Sequence, residues 1–263
     1  MFFRLIEYFY KITISIINIQ AINTFKVFFL AKYCNFNQIF LVIFGKKFFL
    51  RPTIDFSAAI SFTSKQYIYN IDNKESEIKY IIDAGSNIGQ QTIKFYNEFQ
   101  EAKKIISIEI DKDNFDLLKK NTSHCENVLP INCALSSEAD KNKNYKKHAN
   151  SEMSRLSNDV GDSPIKTTSI NQLILDYKFP RIDILKFNIE GNETDVFFNN
   201  CEWIDKCKII AFNNAHLQND TQKILENFFK FKKFKVVNVH QFIFLIDASY
   251  ESSKIKFEYF FKK

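Results

Sequence analysis

The chain has 263 residues, 46% of them hydrophobic, which is ample for one large packed domain with an extension. Lysine and arginine number 36 against 30 acids, a net charge of +6, yet only four of the cations are arginine. Arginine is the better group for bidentate phosphate contacts, so this balance is no signature of nucleic-acid binding and fits mild attraction to anionic membranes or polymers equally well. The five cysteines (Cys34, Cys125, Cys133, Cys201 and Cys207) are odd in number and match no zinc spacing; they read as reduced, mostly buried thiols of a cytoplasmic protein.

Residues 1 to about 49 are rich in Phe and Ile and nearly free of acids. The longest uncharged stretch, Ile12 to Phe25, carries Thr, Ser, Asn and Gln and falls short of the ~20 apolar residues a membrane span needs. Glu7 and Lys11 interrupt the start and speak against a cleavable leader. Two readings stand: helices packed on the core, or an amphipathic stretch on a membrane surface with Lys26, Lys32, Lys46 and Lys47 interleaved. Residues 1–70 are expected to form a mostly helical extension, and 71–263 the main domain.

From residue 79 onward, apolar runs alternate with helix-period segments, the pattern of a mostly parallel α/β sheet. Strands are expected near 79–83, 104–109, 128–132, 182–187 and 207–212, and helices near 88–99, 112–121, 169–177, 191–199 and 219–230. Asp140 to Ala149, with Lys141, Lys143, Lys146 and Lys147, reads as a solvated basic loop or as a lid over a ligand. Phe234–Val239 and Phe242–Ile246 are joined by too short a link for a parallel crossover, so they pair as a C-terminal antiparallel hairpin.

The chemistry concentrates at Tyr80-Ile81-Ile82-Asp83-Ala84-Gly85-Ser86-Asn87-Ile88-Gly89. Two of the five glycines in the chain fall here. Gly85 allows a sharp turn at positive φ, Asn87 tolerates such angles, and Gly89 lets the next helix pack close to the strand or a ligand. Glu109 closes the following apolar run 20 residues past Gly89. In nucleotide-binding βαβ units an acid at that distance accepts hydrogen bonds from a ribose diol. A purely structural turn needs neither the acid nor this glycine spacing. The pattern D-x-G-x-N-x-G departs from the G-x-G-x-x-G of dinucleotide folds.

That pattern resembles the first motif of class I methyltransferases, and the chain is similar to the FkbM-type methyltransferase family. Four segments carry the resemblance: Leu50–Asp55 with Tyr67; Ile82–Gly89; Ile108–Asp111 with Asn114, Phe115, Leu118 and Asn121; and Asp183–Gly191. The resemblance implies a Rossmann-like class I methyltransferase sheet, S-adenosyl-L-methionine as cofactor, and O-methylation of a hydroxyl on a sugar, glycan or small metabolite. It assigns Asp83, Gly85, Ser86, Asn87, Gly89, Glu109, Ile110, Ala134 and Leu135 to the cofactor, with Ala134 and Leu135 at the adenine; packing at a strand end is the other reading of Leu135.

Glu190 and His216 are the candidate bases, with Lys186 and Asn188 beside them. Glu190 either serves the pocket or caps the next helix. His216 is a surface residue unless the resemblance holds. Lys186 either pairs with a carboxylate or buries its stem and snorkels. Asn188 stands where the family carries Asp, and Asn214 where an acid precedes His216 by two. An amide cannot take a proton as a carboxylate does, so a cofactor-binding protein with weakened catalysis is the alternative. An RNA-binding or RNA-modifying protein is a third, resting on lysines at 141–147 and 230–235. No metal is expected. The expected partner is a small-molecule or glycan acceptor, not nucleic acid, with peripheral membrane contact through the N-terminal segment as a further option.

Overall fold

Each buried apolar run of the second half becomes a strand because its side chains are covered on both sheet faces. The computed structural model describes residues 37–55, 70–71, 78–147, 154–157, 163–215, 217, 219–239, 242–249 and 255–256. The chain divides into two units, residues 1–72 with 255–263, and residues 73–254.

In the first unit, β1 (Ile39–Ile43) and β2 (Lys46–Leu50) pair antiparallel across Phe44 and Gly45, whose φ angles are 48° and 74°. Leu41, Ile43, Phe48 and Leu50 are buried. Arg51 donates from Nε and Nη2 to the two oxygens of Asp55, at 2.8 and 2.7 Å. β3 (Asn70–Ile71) pairs antiparallel with the last strand, Ile255–Lys256. Residues 39–50 were expected within a helical extension and are strand instead. Burial alternates along Leu41, Val42 and Ile43, a period of two that cannot line one helix face, and Gly45 supplies the turn. The rest of the expected helical segment, 1–36, lies outside the described residues.

The second unit runs β4 (Tyr80–Ala84), α1 (Gln90–Glu98), β5 (Lys104–Glu109), α2 (Lys112–Thr122) and β6 (Val128–Asn132). An insert follows: β7 (Ala134–Leu135), β8 (Asn142–Lys146), β9 (Arg155–Ser157) and β10 (Ser163–Thr168). Then come α3 (Ile170–Asp176), β11 (Ile182–Phe187), α4 (Glu193–Phe198), β12 (Cys207–Asn213), α5 (Thr221–Phe229), β13 (Phe234–Val239) and β14 (Phe242–Asp247). The seven-stranded sheet has the order β6-β5-β4-β11-β12-β14-β13. Strands β4, β5, β6, β11 and β12 are parallel, while β14 runs against both β12 and β13. The order of connection reverses between β4 and β11, the place where open α/β sheets leave a crevice beyond their carboxyl ends.

Every residue of β11 is buried, and Phe187 meets Phe197 edge-on at 4.9 Å with Trp203 alongside. Full burial of one such side chain is worth roughly 1.5–3 kcal/mol, so this strand anchors the site at its tip. Asp111 caps α2 by accepting from the Asp113 and Asn114 amides, and Ser169 caps α3 by accepting from Gln172.

The insert forms a second sheet, ordered β7-β10-β8-β9. Asp140–Ala149, expected as a solvated loop or lid, therefore holds strand β8 with Tyr145 buried in it. Its pairing partners are residues 163–166 and 155–157, and a strand made by such distant pairing leaves little trace in local composition.

Candidate functional site

The β4–α1 turn is built from within. Gly85, Asn87 and Gly89 all have positive φ, at 75°, 50° and 95°. The amides of Gly85 and Ser86 both donate to Ile108 O, at 3.0 and 2.9 Å, which laces the turn to β5. Ser86 Oγ donates to Asp83 O at 2.6 Å, and Asn121 Nδ2 of α2 donates to Ile88 O at 2.8 Å. The constraint on Gly85 is severe. A Cβ there would stand 1.9 Å from Asn188 O, because the backbone beyond β11 crosses directly over it. At Gly89 a Cβ would meet Leu118 Cδ1 at 2.9 Å.

Beneath the turn lies an ion pair. Asp83 is fully buried; its Oδ1 is 2.9 Å from Lys186 Nζ, and its Oδ2 accepts from Thr92 Oγ1 at 2.7 Å. Lys186 Nζ also donates to Gly85 O at 2.9 Å. Of the two readings of Lys186, pairing with a carboxylate is the one realised. Asp83, expected among the cofactor contacts, lies beneath the turn with Oδ2 hydrogen-bonded to Thr92 and Oδ1 held only by the ion pair with Lys186, without a hydrogen bond among the described residues. A buried pair broken by removing one partner costs about 3–5 kcal/mol. Lys186→Met is thus expected to lower the free energy of unfolding in urea by that order, and Lys186→Met with Asp83→Asn to recover part of it. Equal instability of the single and double variants would contradict the pairing.

At the flank of the turn stands Glu109. Its Oε2 accepts from the Asn87 amide at 2.8 Å, and its Oε1 from the Asp111 amide at 2.9 Å and Asn114 Nδ2 at 3.3 Å. Burial pushes its carboxyl up to about 7, against the lowering effect of those three donors. A carboxylate oxygen can accept more than one hydrogen bond, so Oε2 keeps capacity beyond Asn87. The Asn87 side chain is buried, and neither its Oδ1 nor its Nδ2 has a partner among the described residues. Such a group costs about 1–3 kcal/mol until something satisfies it. A ligand with polar groups of both kinds fits this turn.

The tip of β11 closes the other side. Asn188 N donates to Ala84 O at 3.0 Å, and Asn188 Oδ1 accepts from Asn213 Nδ2 at 3.0 Å. Glu190 follows at φ 52° and Gly191 at φ 101°. Glu193, not Glu190, caps the turn into α4: its carboxylate accepts from the Ile189 and Gly191 amides at 2.9 and 2.8 Å. Asn192 Nδ2 donates to Leu135 O at 2.6 Å, fastening this turn to buried Ala134 and Leu135 of β7. Ile110 is half-buried, and its carbonyl accepts from Asn132 Nδ2 at 3.1 Å. Asn214 Oδ1 accepts from Thr221 Oγ1. His216 lies outside the described residues.

The structure thus gathers Asp83, Gly85, Lys186 and Asn188 around one turn, with Asn87 bound to Glu109. Sequence reasoning missed Thr92 and Glu193, and held Asn114 only among the residues that carry the family resemblance, not as a partner of Glu109. Glu193 could have been found as an acid in the first turn of a helix, placed to reach back to the preceding amides. Asp183 sits near the opposite end of β11, accepting from the Lys79 and Tyr80 amides and pairing with Arg181 and Lys208. Among the described residues no three His, Cys, Asp or Glu side chains gather as a metal site, and Cys125, Cys133, Cys201 and Cys207 are buried and unbridged.

A parallel sheet extended by one reversed strand, with a glycine turn after its first strand and an acid at the tip of the next, defines a Rossmann-like α/β protein of the class I methyltransferase type. Residues 83–248 match the family model described as the methyltransferase FkbM domain, well over half of the chain, and the protein belongs to that family. Among solved structures it is similar to the FkbM methyltransferase from Methylobacillus flagellatus KT, with 13% identity, a TM-score of 0.45, and coverage of 73% of this chain and 53% of that one. The chain therefore spans about half the length of that relative. It is also similar to the Methanococcus jannaschii fibrillarin pre-rRNA processing protein, with 13% identity, a TM-score of 0.42 and coverage of 81% and 82%. An rRNA methylase from Streptococcus thermophilus matches at 12% identity and a TM-score of 0.39, over 66% of this chain and 91% of that one. Comparison with curated proteins found no match.

Proposed function

We propose that the protein is an S-adenosyl-L-methionine-dependent methyltransferase acting on a hydroxyl of a sugar, glycan or small metabolite. The observation that carries this reading is the buried carboxamide of Asn87, without a partner among the described residues, on a turn whose Asn87 amide is held by Glu109. The Gly85–Gly89 turn and Asn87 would hold the amino-acid end of the cofactor. Glu109 Oε2 would accept from the ribose diol, while Ile110, Ala134 and Leu135 would flank the adenine. Bound there, the cofactor supplies a methyl group on a positively charged sulfur that a nucleophile can displace.

The chain's own groups do the rest. The Asp83–Lys186 pair keeps the turn rigid, so little ordering is left to binding. Glu190, just beyond β11, takes the acceptor proton on its carboxylate, with His216 as the second candidate. Asn188 orients the hydroxyl. Calorimetry with S-adenosyl-L-methionine and with NAD tests the cofactor; binding of NAD alone would overturn the assignment. Glu190→Gln is expected to lower turnover by roughly 10²–10⁴-fold with cofactor affinity unchanged.

A second reading, cofactor binding with weakened catalysis, is favoured by the amide–amide contact of Asn188 with Asn213, where the family resemblance expects an acid. Asn188→Asp restoring no turnover on any accepted substrate would support it. An RNA-directed role draws less support, since Lys141 pairs with Glu138, Lys147 with Asp113, and Lys143 donates to Ser136.

A further inference from the structure

We infer that Asp195 is a positioning residue that ties the cofactor side of the site to its acceptor side, an inference that rests on the methyltransferase reading above. The two sides come from distant parts of the chain: Ala134 and Leu135 of β7 on one, the Asn188–Gly191 turn beyond β11 on the other. Asp195 lies in the first turn of α4, shortly after that turn, and both of its oxygens take donors from the residues that follow β7. Oδ2 accepts from Ser136 Oγ at 2.8 Å and from the Ser137 amide at 2.9 Å. Oδ1 accepts from Ser137 Oγ at 2.9 Å and from Asn199 Nδ2, at the end of its own helix, at 3.3 Å. Two carboxamides flank the carboxylate. Asn192 Nδ2 holds Leu135 O, and Asn200 Nδ2 donates to Ser137 O at 3.1 Å.

The join has a fixed direction. Lys143 of β8 donates from Nζ to Ser136 Oγ at 3.2 Å, so this hydroxyl accepts from a cation and donates to an anion. Hydrogen bonds with an ionised partner are the strong kind. Burial raises the Asp195 pKa, but the Ser137 amide, the two hydroxyls and Lys143 outweigh it, and the carboxyl titrates below an ordinary aspartate. Both sides need such support. Glu190 and Gly191 have left-handed backbone, which at Glu190 costs about 1–2 kcal/mol. Strand β7 is two residues long and pairs with β10 only at Thr167 and Thr168. Leu135 and Val196 share one buried apolar core, so removing the carboxylate leaves that packing in place. The polar join sets the separation of the two sides, and ordering Leu135 against the cofactor orders Glu190 for the acceptor.

The test is hydrogen exchange on the full chain, with and without S-adenosyl-L-homocysteine, the cofactor less its methyl group. Without ligand, Asp195→Asn is expected to speed exchange over residues 134–138 and 188–192 roughly 10–100-fold, the loss of one hydrogen bond to a charged group, and to leave the β4–α1 turn unchanged. In the unmodified chain the ligand should slow exchange in both segments. In Asp195→Asn it should still slow residues 134–138 and lose its effect on 188–192. A carboxylate that only stabilises the fold would shift both segments by one factor, with ligand or without. Ser137→Ala keeps the carboxylate and removes one donor, so it should act in the same direction and more weakly. Binding that never slows residues 188–192, or slowing there that survives Asp195→Asn, would overturn this inference alone. Failure of the unmodified chain to bind S-adenosyl-L-homocysteine would overturn the methyltransferase reading and this inference with it.

Discussion

Gly85→Ala is expected to destabilise the protein by roughly 2–5 kcal/mol and to abolish binding of S-adenosyl-L-methionine, read by urea unfolding and calorimetry. Two costs combine. The left-handed backbone at φ 75° disfavours any residue with a Cβ by about 1–2 kcal/mol. The new methyl would also stand 1.9 Å from Asn188 O, a backbone atom held by the Asn188 amide's bond to Ala84 O, and forcing extra volume into such a place costs about 1–3 kcal/mol. Gly191→Ala is the control: φ is 101° there, yet nothing lies within 4 Å of a Cβ, so only the backbone term of about 1–2 kcal/mol applies. Equal losses for the two variants would mean that the close crossing over Gly85 carries no weight.

The second large effect is a pH dependence set by Glu109. Burial raises its pKa from 4.5 to about 7 in the folded protein. Below 4.5 the group is protonated folded and unfolded alike. Between 4.5 and 7 the folded chain holds the extra proton, so this contribution to stability falls as pH rises, by about 3 kcal/mol in all, and is flat above. Cofactor binding runs the other way. A ribose diol donates to the ionised carboxylate, so affinity for S-adenosyl-L-methionine should rise up to about tenfold per pH unit below 7 and level off above it. Glu109→Gln should flatten both profiles. It should also weaken binding roughly 10–100-fold, because its NH₂ would face the donors that Glu109 now satisfies. A dissociation constant independent of pH between 6 and 8 would remove Glu109 from the ribose role.

The largest differences between expectation and structure share one cause. Asp83 was legible as a functional acid, but its task depends on Lys186, 103 positions later, arriving beneath the same turn. Glu190 was legible as a carboxylate near a helix start and Glu193 was not; with a left-handed backbone at Glu190 and Gly191, it is Glu193 that reaches back to the Ile189 and Gly191 amides. Strand β8 was hidden because its partners come from residues 163–166 and 155–157. The N-terminal hairpin was hidden by composition, since Phe and Ile suit helix and strand alike when burial is unknown.

The sequence alone determined the order of strands and helices from residue 79 apart from the inserted sheet of residues 134–168, the glycine turn, the acid at the tip of the second strand and the reversed terminal hairpin. Those features are written in neighbouring residues, through apolar period, glycine placement and link length. Tertiary structure alone decided that Asp83 pairs with Lys186 beneath the turn, that Asn188 stands where a side chain on Gly85 would go, and that Asn87 keeps a buried carboxamide without a partner among the described residues. Each is a meeting of residues far apart in the chain, and a linear pattern carries no term for which distant side chain fills the space beside a buried polar atom.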